Sequence, residues 1–223
     1  MGSMIELKAA DGHKLAAYRA DPSGRPRGAI VVIQEIFGVN KHIKSIADGY
    51  AADGYVAVAP AMFDRLQPGY DTGYTPPEIE AGRALMQKID WKQAMLDVEA
   101  AVAEAKKAGK VGIVGYCWGG TVVWRAAHAI VGLAAAVPYY GGGMANFIGE
   151  KPKVPTLCNF GELDQSPSLE QAKAIAKAHP EITAHYYAGA GHGFNCDMRG
   201  SFNPEASKLA RSRTLEFFRK HVG

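Results

Sequence analysis

Val111-Gly-Ile-Val-Gly-Tyr-Cys117-Trp-Gly-Gly-Thr121 is an apolar run that enters a Gly-x-Cys-x-Gly-Gly turn and leaves it as a helical pattern. So abrupt a turn from strand to helix tolerates almost no side chain at its flanks, and it pushes the residue at its apex clear of the strand end. Gly115, Gly119 and Gly120 meet the first condition, and Cys117 occupies the apex. The helix that follows aims its free N–H groups and the positive end of its dipole at the apex, which stabilises a thiolate and any oxyanion formed beside it. The competing reading is an inert core cysteine beside a glycine-rich helix start.

Outward from this turn, strands and helices alternate. Ile5 to Lys8 and Leu15 to Arg19 flank Asp11-Gly12 and predict a hairpin, and Ala29 to Ile33 (AIVVI) is a continuous apolar run suited to a strand buried on both faces. Further strands are predicted at Tyr55–Ala59, Lys110–Gly115, Leu133–Tyr139, Thr156–Phe160 and Thr183–Tyr187. Helices are predicted at Lys41–Asp53, Pro77–Lys88, Trp91–Ala108, Gly119–Ile130, Ser168–Ala178 and Pro204–His221. That order implies an α/β fold, a mostly parallel sheet with helices on both faces, in a single domain over residues 1–223. Asp64 to Pro77, rich in Gly, Pro and Tyr, reads as a long loop at the mouth of a site.

The bulk properties narrow the function classes. With 25 Lys+Arg against 22 Asp+Glu the net charge is only +3, and the basic residues are scattered, which argues against a nucleic-acid partner. No apolar run is long enough to cross a bilayer, and the first residues lack the pattern of a secretory signal. The three cysteines, Cys117, Cys158 and Cys196, are too widely spaced for a zinc motif with paired ligands and too few for a disulfide framework, so a reducing, cytoplasmic compartment is expected.

An activated cysteine on such a turn requires a base, and in this topology the acid and then the histidine follow the nucleophile along the chain. Thr156 to Asp164 reads as a strand and turn that deliver Asp164 to a strand end, and His192 sits between glycines just after the next strand. Both loops should emerge on the sheet edge that carries Cys117. Asp164 could equally cap the helix beginning near Ser168. His192 has no apolar surface nearby on which to pack, which favours a functional role. Cys117, Asp164 and His192 in this order point to a triad on an α/β-hydrolase fold.

Gln34-Glu35-Ile36-Phe37-Gly38, Gly115-Tyr-Cys117-Trp-Gly-Gly, Gly161-Glu-Leu-Asp164 and Gly191-His192-Gly-Phe194 together resemble the dienelactone hydrolase (carboxymethylenebutenolidase) family over nearly the whole chain. The resemblance implies hydrolysis of a small ester or lactone through a thioester on Cys117, with His192 as base, Asp164 as orienting acid and no metal or organic cofactor. It also implies an oxyanion hole from the backbone N–H groups of Ile36 and Trp118, and a Glu35 that restrains the thiol until substrate arrives. A carboxylate simply salt-bridged at the sheet edge is an equally good reading of Glu35. The family binds a substrate carboxylate with arginines. Arg83 matches one, whereas after His192 the nearest basic residue is Arg199, further along than the family's arginine; either could instead lie on a solvated face. Phe37, Tyr70, Tyr74, Trp118, Tyr140 and Phe194 suit a small hydrophobic ester. The expected partner is thus a small-molecule ester or lactone, with the chain a monomer or small homo-oligomer. A broad carboxylesterase or thioesterase, and a non-catalytic ligand-binding module of the same fold, are the alternatives.

Overall fold

The computed structural model describes residues 2–223. Its eight strands are β1 (Ser3–Lys8), β2 (Lys14–Ala20), β3 (Ala29–Ile33), β4 (Val56–Pro60), β5 (Val111–Tyr116), β6 (Leu133–Tyr139), β7 (Leu157–Gly161) and β8 (Thr183–Tyr187). They form one sheet in the order β1-β2-β4-β3-β5-β6-β7-β8. β2 runs antiparallel to β1 and β4, and all the remaining pairs are parallel. The predicted strands and helices are all present, with ends shifted by at most two residues at nearly every boundary.

The helices are α1 (Lys41–Ala52), α2 (Pro76–Met86), α3 (Trp91–Ala105), α4 (Trp118–Ala129), α5 (Leu169–Ala178) and α6 (Pro204–His221). Every residue of β3 and β5 is buried, because helices cover both sides of the sheet centre. Alternation sorts the side chains: Val31, Ile33 and Ile113 pack with Val98 of α3 and Val122 of α4. Ile30, Val32 and Val114 pack with Ile43 of α1 and Phe218 of α6. Each such side chain contributes about 1.5–3 kcal/mol relative to exposure.

The strand order reverses at β3. The chain leaves β3 through α1 to its neighbour β4 on one side, and later enters β5 on the other. Connections diverge at this point, so a crevice opens at the carboxyl ends of β3 and β5. It brings the Glu35-Ile36 loop beside the Cys117 turn.

The stretch from Asp64 to Pro77 departs from expectation. Asp64 accepts hydrogen bonds from the backbone N–H of Ala16 (2.8 Å) and Gly69 (3.0 Å), and Asp71 bridges to Gly38. Tyr70 packs against Phe63 and Tyr74 against Phe37. These contacts fold the loop down onto the domain, and none of its residues lines the crevice, to which α2 contributes Ile79, Arg83 and Met86. No helix among the described residues is long and apolar enough to cross a membrane.

Candidate active site

Cys117 adopts φ 56° and ψ −123°, a positive φ that a non-glycine residue takes up only at a cost. The flanking glycines make the turn possible: a Cβ at Gly115 would overlap the Gly119 carbonyl, and one at Gly119 would overlap the Gln34 carbonyl. The strain is held by a hydrogen bond from the Cys117 N–H to the Tyr139 carbonyl (3.1 Å) and by α4, which starts at the very next residue.

His192, on the loop after β8, places Nε2 3.0 Å from Cys117 Sγ and Nδ1 3.0 Å from Asp164 Oδ2. Asp164 is 2% exposed, and its Oδ1 accepts from the Ser166 N–H at 2.8 Å. The capping alternative for Asp164 does not hold, since Ser168 caps α5 through a bond from the Gln171 N–H. Burial by itself disfavours the imidazolium. The charge of a Cys117 thiolate and the hydrogen bonds to Asp164 and Cys117 outweigh it and hold the His192 pKa well above its ordinary value. The His192 ring is therefore held between the Cys117 sulfur and the Asp164 carboxylate.

A cavity of about 730 Å³ opens over Cys117. Trp118, as the first residue of α4, has a backbone N–H without an intrahelical acceptor, and the Ile36 N–H likewise finds no acceptor among the described residues. Both residues line the cavity. The buried Gln34 side chain donates from Nε2 to the Glu35 carbonyl (3.3 Å) and accepts from the Met62 N–H (3.1 Å). The Glu35 carbonyl and the Ile36 N–H belong to one peptide plane, so Gln34 fixes where that N–H points.

The chain matches the model of the Dienelactone hydrolase family over residues 15–222. It belongs to the dienelactone hydrolase family. A carboxymethylenebutenolidase of Pseudomonas putida is 33% identical over 96% of this chain and 94% of its own length. A protein of Synechocystis sp. provisionally named a carboxymethylenebutenolidase is 34% identical over 94% of this chain and 93% of its own length. A crystal structure from Klebsiella pneumoniae subsp. pneumoniae, provisionally named a dienelactone hydrolase, superposes with a TM-score of 0.87 at 26% identity, covering 99% of this chain and 100% of that one.

Against this dienelactone hydrolase background, the remaining expected residues divide. Arg83 and Phe37 line the cavity, and so does Arg199 despite its later position. Two successive turns, Cys196 N–H to Gly193 carbonyl and Arg199 N–H to Cys196 carbonyl, double the chain back so that Arg199 reaches the crevice. Gly193, at φ 77°, is required there, since a Cβ on it would lie 2.5 Å from Arg199 Nη1. Arg199 Nη1 pairs with Glu35 Oε1 at 3.3 Å and its guanidinium lies over the Phe37 ring. Glu35 is 1% exposed and carries the salt bridge, while the Cys117 sulfur lies 3.0 Å from His192 Nε2.

Tyr140 and Phe194, expected at the substrate surface, are fully buried and do not line the cavity, and neither do Tyr70 and Tyr74. Tyr140 instead stands edge-on to His192 at 5.3 Å, with Phe194 packed behind it, so the two back the imidazole. The apolar wall comes from residues the sequence reading did not single out, Trp91 at the start of α3 and Phe147 in a short 3-10 turn after β6. Arg125, held by Glu150, stacks on both rings from outside. No local motif marks this pair, because Trp91 and Phe147 are brought together only by helix packing.

Proposed function

We propose that this chain hydrolyses a small ester or lactone bearing a carboxylate, through a thioester on Cys117. Hydrolysis of such bonds is the chemistry of its family; the residue roles and the substrate carboxylate are the proposal. The observation that carries it is the continuous relay from Cys117 Sγ through His192 to Asp164, with both links at 3.0 Å.

In this reading the Cys117 thiolate attacks the carbonyl carbon, and the resulting oxyanion is met by the N–H groups of Ile36 and Trp118. The tetrahedral intermediate collapses as the C–O bond breaks, and His192 Nε2 gives its proton to the leaving oxygen. Water then attacks the thioester and passes a proton back to His192, and the C–S bond breaks to release the acid and restore the thiolate. Asp164 keeps the Nδ1 proton in place throughout. Arg83, which makes no ion pair among the described residues, and Arg199 supply two guanidinium groups to the cavity, a setting that suits a planar carboxylate. A carboxylate bound there competes with Glu35 for Arg199.

The wall of Trp91 and Phe147 favours a second reading, a broader esterase that accepts aryl esters. Mass spectrometry of protein quenched with a panel of lactones and esters should find an acyl adduct on Cys117 and none in Cys117→Ala. Arg83→Met should raise KM for a carboxylated lactone at least tenfold and leave p-nitrophenyl acetate turnover unchanged. An adduct elsewhere would overturn the nucleophile, and equal turnover of both substrates with no effect of Arg83→Met would overturn the carboxylate.

A further inference from the structure

At Glu35, three buried side chains converge that the proposed hydrolytic chemistry does not use together. Glu35, His42 and Cys196 each present a donor atom, and these atoms lie within 4.8 Å of one another. They come from separate segments: the loop after β3, the first turn of α1, and the loop between β8 and α6 that also carries His192. We propose that Glu35, His42 and Cys196 form a binding site for a zinc-like divalent transition-metal ion that ties these three segments together.

Two unpartnered atoms support the site independently of its clustering. Glu35 Oε2 and His42 Nε2 are fully buried and have no hydrogen-bond partner among the described residues. Leaving a buried polar atom unpaired is costly, and a shared cation would satisfy both. Their other atoms are already engaged: Oε1 by Arg199 at 3.3 Å, and His42 Nδ1 by Asp197 Oδ1 at 3.2 Å. A carboxylate on one imidazole nitrogen fixes the tautomer that leaves a lone pair on the other, the outer arrangement characteristic of histidine metal ligands.

The donor set selects the ion. One thiolate, one imidazole and one carboxylate suit zinc, whereas calcium and magnesium prefer oxygen alone. Bonds of 2.0–2.3 Å in a tetrahedron separate donors by roughly 3.4–3.6 Å, so donors that all lie within 4.8 Å of one another need draw in by at most about 1.4 Å. Three protein donors leave the fourth position to water. Binding releases the Cys196 proton to solvent, and no electron transfer is involved.

Cys117 is a competing thiol, so the test uses Cys117→Ala protein, stripped with chelator and titrated with Co2+ and Zn2+. The expected result is one Co2+ bound with a thiolate-to-cobalt charge-transfer band, displaced by Zn2+, together with a rise in Tm. Cys196→Ser in that background should abolish the band, and His42→Gln should weaken binding at least tenfold. Asp197→Ala guards against misfolding, because that side chain is 66% exposed; it should weaken binding about 10–100-fold with the fold intact. The site is refuted if Cys117→Ala protein binds no Co2+, or if the band survives Cys196→Ser.

Discussion

Arg199→Met tests whether the Glu35 ion pair supports the crevice energetically. At 3.3 Å the two charges attract by about 5 kcal/mol at an effective dielectric constant of 20. Desolvation offsets much of that, since Glu35 is 1% exposed and its Oε2 has no partner. Removing the guanidinium leaves the buried carboxylate uncompensated, and such losses cost about 3–5 kcal/mol. Arg199 is itself 19% exposed, so water entering the gap places the loss at the low end, about 3 kcal/mol. For a chain of this size that lowers Tm by roughly 6–12 °C. Glu35→Gln removes the charge that needs compensation, so the double variant should lie close to Glu35→Gln alone. Urea denaturation of all four proteins in chelator then gives a coupling energy of about 3 kcal/mol. Strictly additive losses would refute the claim that Arg199 compensates Glu35.

Asp164→Asn, which keeps the shape but loses the charge that orients His192, should lower kcat by about 10⁴ with little change in fold, read by steady-state kinetics and circular dichroism. NMR titration of His192 should find its pKa well above the ordinary value of about 6.5, and Cys117→Ala should bring it down, since the thiolate is the largest of the influences that raise it. With the folded value raised, the protonated histidine's contribution to stability is complete below about pH 6.5 and is lost as pH rises through the folded value. Gln34→Leu should lower kcat about tenfold with KM nearly unchanged, because the Ile36 N–H loses its fixed direction; an equal rise in KM would argue for a general distortion instead. Iodoacetamide should label the partly exposed Cys117 and spare the buried Cys158 and Cys196, as peptide mapping would show.

What the sequence determined by itself was whatever depends on near neighbours. The all-apolar β3 and β5, the glycines around Cys117 and the glycines around His192 are contiguous patterns whose backbone consequences follow from sterics, so the sheet, the sharp turn and the order of Cys117, Asp164 and His192 could be read directly. Tertiary structure alone decided which side chains face the crevice. Tyr140, just after β6, and Phe194, within the His192 motif, are fully buried in the core, and Trp91 and Phe147 come from distant segments yet form the wall. Arg199 stands too late in the sequence to match its family position, but two turns and a positive-φ Gly193 return it to Glu35. Glu35, His42 and Cys196 show no ligand spacing along the chain, and they meet where the loop after β3, the first turn of α1 and the loop between β8 and α6 converge. Contiguous patterns fix backbone geometry, whereas such convergence depends on crossover connections, helix packing and side-chain direction, which no local stretch of sequence contains.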